Sequence, residues 1–74
     1  MERTVKTEIL IRWVQENGPD GLVRLALKAQ VSHSLLAKVR VGRVPKKPLT
    51  RQLIARAMGL KEDDVFPLVK NIAA

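Results

Sequence analysis

The chain has 74 residues, no cysteine and a formal net charge of +7, with 14 Lys or Arg against 7 Asp or Glu. This length makes one domain, near the lower size at which an apolar core suffices without a disulfide or a metal. The lack of cysteine excludes disulfides and thiolate metal sites, and the excess of positive charge indicates an anionic partner.

Composition also argues against membrane and enzyme classes. No uncharged apolar run approaches the roughly 20 residues that cross a bilayer, and residues 1–10 lack the basic-then-apolar order of a signal peptide. We therefore expect a cytoplasmic protein with no membrane partner. The single His cannot form a metal site alone, there is no glycine-rich phosphate loop, and no nucleophile has a base near it in sequence. We expect no catalysis, metal, cofactor or small-molecule ligand.

The first predicted helix covers about residues 4–16. Apolar residues recur there at the i, i+4 spacing of one helical face, namely Val5, Ile9, Leu10, Trp13 and Val14. Gly18 and Pro19 end this helix. We expect Trp13 in the core, in preference to stacking on a nucleic-acid base.

Two short helices follow, at about residues 21–28 and 33–40. Asp20 is the predicted N-cap of the first and Ser32 of the second, and residues 30–31 form the turn. The inward positions are Leu22, Leu25, Ala26 and Ala29, then Leu36 and Val39. The small side chain of Ala26 allows these two helices to approach each other closely, and Val31 fills the angle between them. This arrangement is typical of a helix-turn-helix, at about residues 22–41.

An extended basic connection and two further helices complete the prediction. Two prolines restrict the backbone of residues 43–48, RVPKKP. A fourth helix, about 49–58, ends at Gly59 and has an apolar set in register: Leu49, Leu53, Ile54, Ala57 and Met58. A fifth, near 62–66, begins with acids. The tail, residues 67–74, is either a strap on the first helix or a dimer contact. The predicted fold is all-α, a small four- to five-helix bundle in one domain, 1–74.

The charges are segregated along the chain. From Gly21 to Lys61 there are ten Lys or Arg and no Asp or Glu. Such segregation gives a folded domain a basic face. With one Trp, one Phe and no Tyr, the chain has few aromatic platforms for single-stranded bases. This scarcity argues against binding of RNA or single-stranded DNA as the main function.

Three segments resemble a known family. They are LVRLALKAQVSHSLLAKVRVG at 22–42, the following GRVP at 42–45, and LIARAMGLKEDDVF at 53–66. Together they resemble the lambda-repressor-like, or Cro-type, helix-turn-helix DNA-binding domains, over about residues 22–66. The chain departs from that family at Gln30, where the turn usually has Gly and calls for a left-handed backbone. It also departs in the connection VPKKP, which is longer and more basic than usual.

The resemblance implies a small phage or bacterial transcriptional regulator, most closely a Cro-like repressor that occupies operator DNA in a bacterial or phage-infected cell. Its recognition helix, 32–40, would enter the major groove. The residues at base-reading positions are Ser32, His33, Ser34, Ala37 and Lys38. The cations expected on the DNA backbone are Lys28, Arg40, Arg43, Lys46, Lys47 and Arg51. Related regulators usually form a homodimer on a palindromic operator.

Two alternatives remain open. A non-specific architectural DNA binder would use the basic region without the base-reading residues. A protein-interaction module, or the antitoxin half of a toxin–antitoxin pair, would present apolar residues and the tail to a partner with an acidic surface. The apolar residues in question are Leu35, Val41 and Val44.

Overall fold

The computed structural model of the protein describes residues 2–69, which form five helices. The helices are α1 (Thr7–Glu16), α2 (Gly21–Ala29), α3 (His33–Arg40), α4 (Pro48–Ala57) and α5 (Glu62–Val65). Within these residues the only β-type pairing is an isolated bridge between Arg3 and Leu68. The predicted all-α class is therefore confirmed for the described chain. None of its helices combines the length and apolar character needed to cross a membrane.

The core is built around α2. This helix packs against α1, α3 and α4, while α5 packs against α4 and α1. The largest fully buried side chains are Leu10, Leu25, Leu36, Val39, Ile54, Val65 and Phe66. The predicted inward faces of α2 and α3 are confirmed, with Leu22 only half-buried. Trp13 and Val31 are half-buried against the same core, as predicted.

Helices α2, α3 and α4 end in the same way. In each case a residue with positive φ follows the helix, and the next N–H donates to the carbonyl five residues earlier. These bonds join Val31 to Ala26 (3.0 Å), Arg43 to Lys38 (3.0 Å) and Leu60 to Ala55 (2.9 Å). This closure satisfies carbonyls that the helix end would leave without a partner.

Glycine supplies the positive φ after α3 and α4, but Gln30 does so after α2. Its φ of 59° and ψ of 40° lie in the left-handed region. The left-handed turn expected at this position is therefore present without glycine, at a cost of roughly 1–2 kcal/mol. The turn places Ser32 three residues after the end of α2, at the start of α3.

The start of α1 differs from the prediction. The helix begins at Thr7, because residues 2–6 pair with residues 65–69 instead of extending it. Thr4 N–H donates to the Pro67 carbonyl (3.0 Å), and Lys6 N–H donates to the Val65 carbonyl (2.9 Å). The described part of the tail thus runs along the segment before α1. Its remainder, residues 70–74, lies outside the described residues, and the dimer contact stays a prediction.

The prediction for Asp20 in α2 was confirmed in position only, and the prediction for Leu49 in α4 was wrong. Asp20 is at the N-cap position of α2 but makes no side-chain hydrogen bond to the helix. Leu49 was expected to face inward and is 64% exposed. It lies five residues before the buried Ile54, which places it about 140° around the helix from that side chain. Ala55, not predicted as inward, is fully buried.

Ser32 caps α3, as predicted, because the Leu35 N–H donates to its Oγ at 3.1 Å. Ser32→Ala is expected to lower the free energy of unfolding by about 1 kcal/mol, since it leaves that N–H without a partner. Urea denaturation followed by circular dichroism measures this change. Ser34→Ala removes an exposed hydroxyl from the same turn and should cost less than about 0.5 kcal/mol. Equal losses in the two variants would contradict the cap.

Candidate nucleic-acid interface

Helix α3 presents its first turn to solvent. Ser32, His33, Ser34 and Lys38 are exposed, whereas Ala37 is half-buried. The buried Leu36 and Val39 hold the opposite face of the helix on the core. A helix with its side chains is about 10–12 Å across, which is close to the width of a DNA major groove. Hydroxyl, imidazole and ammonium groups on this face can donate hydrogen bonds to base acceptors.

A groove lies beside the C-terminal half of α3. It encloses about 330 Å³, and three cationic side chains line it: Lys38, Arg43 and Lys46. Its remaining lining is apolar and comes from Leu35, Val39, Val44 and Pro45. We refer to these seven residues as the basic groove. It combines positive charge with an apolar floor, so it suits an anionic group attached to an apolar body.

The helix end fixes the position of Arg43 in the basic groove. Gly42 has a φ of 110°, which turns the chain sharply after α3. The Arg43 N–H then donates to the Lys38 carbonyl. The two residues are therefore held together by the backbone, although five positions separate them in sequence. Their side chains converge on one groove because of this turn.

The cations that were predicted to bind the DNA backbone divide into two groups by their exposure. Lys28, Arg40, Arg43, Lys46 and Lys47 are exposed, whereas Arg51 is not. The Arg51 side chain is 12% exposed, and its Nε donates to the Glu62 carboxylate at 2.7 Å. It lies one turn before the buried Ala55, on the inner face of α4. The expectation that Arg51 lies on the DNA-facing surface is therefore corrected.

The other cations of the acid-free segment, Gly21 to Lys61, make no ion pair within the described chain. Ion pairs among residues 2–69 join Arg3 to Glu62 and Asp63, and Arg51 to Glu62. The segment has ten Lys and Arg, and the nine other than Arg51 are exposed: Arg24, Lys28, Lys38, Arg40, Arg43, Lys46, Lys47, Arg56 and Lys61. Because none of these nine cations is paired with a carboxylate within residues 2–69, their fields add and attract anions.

The structure thus brings together Lys38, which was predicted to read bases, and two residues that were predicted to bind the DNA backbone, Arg43 and Lys46. Lys28, Arg40 and Lys47 are exposed but do not line the basic groove. Sequence reasoning missed Pro45 as a residue of the basic groove, although it is buried in the groove's lining. It gave Leu35 and Val44 to a protein contact surface as one alternative, and both line this groove.

Comparison with known proteins found no family model that matches the chain, no similar curated protein and no similar solved structure. The function is therefore argued from the residues of the interface themselves.

Proposed function

We propose that the protein binds double-stranded DNA through α3, as a small transcriptional regulator that occupies operator DNA. One observation carries the proposal. The exposed donors His33, Ser34 and Lys38 share a helix within a segment, residues 21–61, that contains no acid and whose cations, apart from Arg51, make no ion pair within residues 2–69. A helix with polar donors in a basic surround has the properties that major-groove recognition requires.

The connection between α2 and α3 supports this proposal. Three residues, 30–32, join the two helices, which pack against each other. In a helix-turn-helix protein the first helix lies across the DNA backbone and the second enters the major groove. We propose that α2 and α3 take these two roles. Lys28, exposed near the end of α2, then lies where it can bind a phosphate.

Affinity and specificity come from different residues in this proposal. If roughly six to eight cations meet phosphates, affinity falls by about a thousandfold or more over a fourfold rise in salt concentration, through counterion release. Each good base contact adds only about 1–3 kcal/mol of discrimination. One short recognition helix is therefore a weak discriminator. We propose that a homodimer on a palindromic site multiplies the base contacts.

Selection of bound duplexes from a random-sequence pool tests the proposal with the full chain. We expect enrichment of a motif of about four base pairs, the span of a 12 Å helix at 3.4 Å per base pair. A homodimer would enrich two inverted copies with centres about 10 base pairs apart. Binding without enrichment would favour a non-specific architectural protein. Absence of binding to any duplex would contradict the proposal.

A protein-interaction module is the second candidate, because seven large apolar side chains are exposed among residues 2–69, three of them by more than half. Leu27 is 75% exposed, Val41 78% and Leu49 64%. Such residues are found at contact surfaces as well as scattered singly. In this case a partner with an acidic surface would meet the basic face. Binding to that partner would then be insensitive to replacement of His33 and Lys38, in contrast to DNA binding.

A further inference from the structure

The Arg51 side chain bridges helix α5 and the basic segment, residues 43–48, that joins α3 to α4. Its Nε donates to Glu62 at 2.7 Å, and its Nη1 donates to the carbonyls of Pro45 (2.8 Å) and Lys46 (3.1 Å). The Arg51 N–H also donates to the Lys47 carbonyl at 3.3 Å. Three consecutive carbonyls of the connection are therefore bound by one residue. These bonds fix the backbone from which the Lys46 and Lys47 side chains extend into solvent.

Glu62 orients the Arg51 side chain. Its carboxylate is 17% exposed and lies between two guanidinium groups, at 2.7 Å from Arg51 Nε and 3.4 Å from Arg3 Nε. Charge-assisted bonds of this kind are directional as well as strong. The planar guanidinium of Arg51 can serve Glu62 and two carbonyls at once, which a lysine ammonium cannot reproduce in the same geometry. Arg51 is therefore held by an acid on one side while it holds the connection on the other.

We propose that Arg51 and Glu62 are positioning residues for DNA binding, which hold Lys46 and Lys47 at the places where they meet phosphate groups. This inference rests on the proposed function. Its distinctive consequence is that an acid promotes binding to a polyanion. Removal of a carboxylate from a DNA-binding protein normally strengthens binding, because it lowers the repulsion of phosphate. Removal of Glu62 is expected to have the opposite effect.

Arg51→Lys tests the proposal without a change of net charge. If the contacts of both loop lysines are lost, the salt slope of the affinity becomes shallower by about 1.8, at roughly 0.9 per phosphate contact. We expect affinity for random duplex DNA to fall by about tenfold at low salt. Arg56→Lys is the matched control on the exposed face of the same helix and should change neither quantity. Unchanged affinity and slope for Arg51→Lys would overturn the inference.

Glu62→Ala tests the sign of the effect. Its matched control is Glu16→Ala, which removes an exposed carboxylate that makes no ion pair within residues 2–69. We expect Glu62→Ala to bind duplex DNA several-fold more weakly than the wild type, with a shallower salt slope, and Glu16→Ala to bind equally or slightly more tightly. Loss of stability alone would not alter the salt slope of folded protein. Tighter binding by Glu62→Ala would overturn the inference.

The rate of tryptic cleavage after Lys46, measured without DNA, reports directly how firmly the connection between α3 and α4 is held. At a temperature where circular dichroism shows every variant folded, cleavage at this bond should be at least several-fold faster in Arg51→Lys and Glu62→Ala than in their controls. Unchanged cleavage, with normal DNA binding by the wild type, would overturn this inference alone. A wild-type protein that binds no duplex would overturn the proposed function, and the inference with it, whatever the cleavage rates.

Discussion

Replacing Lys38 and Arg43 together by glutamine is expected to weaken duplex DNA binding by at least tenfold at low salt. Both side chains line the basic groove, and the backbone bond between the two residues holds them at the end of α3. Loss of two phosphate contacts should make the salt slope of the affinity shallower by about 1.8. Fluorescence anisotropy of a labelled random duplex over a salt series measures both quantities.

The control for this pair removes the same charge elsewhere. Lys6→Gln with Arg12→Gln replaces one exposed Lys and one exposed Arg outside the acid-free segment. This variant should keep most of the salt slope and lose much less affinity. If both double variants lost affinity and slope equally, only net charge would matter, and the assignment of binding to the surface near α3 would be wrong.

Gly21→Ala is expected to destabilise the fold by about 2–3 kcal/mol, through overpacking. A methyl group at this position would lie 2.2 Å from the Val14 carbonyl oxygen, so α1 and α2 would have to separate. The sign of the change in the free energy of unfolding is informative, because alanine normally stabilises a helix relative to glycine by about 1 kcal/mol. Urea denaturation measures the change.

Gln52→Ala provides the matched control for that measurement. Gln52 is exposed within α4, and its replacement by alanine should change the free energy of unfolding by less than about 0.5 kcal/mol. Stabilisation by Gly21→Ala, as helix propensity alone predicts, would show that α1 and α2 do not approach as closely as described. Since α2 also packs on α3, a shift of α2 would move the candidate interface.

The fold was predictable where local patterns decide it. Apolar spacing predicted the buried faces of α2 and α3, and the hydroxyl of Ser32 predicted the cap of α3. Glycines marked the ends of α3 and α4. Gln30 shows that the turn geometry depends on more than glycine, since the left-handed backbone is kept there with a bulky residue.

Features that depend on distant residues were not predictable. Nothing within residues 2–6 indicates that they pair with residues 65–69, because the partner lies more than 50 residues away. Arg51 and Glu62 lie in different helices, α4 and α5, so no helical spacing relates them. From the sequence, Arg51 was one of ten cations in a basic segment. In the structure it lies on the inner face of α4 and pairs with Glu62, an acid outside that segment.

The candidate site was partly predictable for the same reason. His33, Ser34 and Lys38 follow directly from the start of α3 and are exposed. Convergence of Lys38, Arg43 and Lys46 on one groove requires the turn at Gly42 and the path of the connection. Composition predicts the charge, but only the folded chain determines which cations share a surface.

The most direct test of DNA recognition by α3 is the ratio of affinities for a selected duplex and a random duplex, at one salt concentration. The wild type should prefer the selected duplex by roughly tenfold or more, as expected from one or two base contacts. In the variant His33→Ala with Lys38→Ala that ratio should fall close to one, while binding to random duplex weakens only several-fold, through the loss of the single cation at position 38. A wild-type ratio of one, or a ratio unchanged in the variant, would contradict sequence-specific recognition by α3.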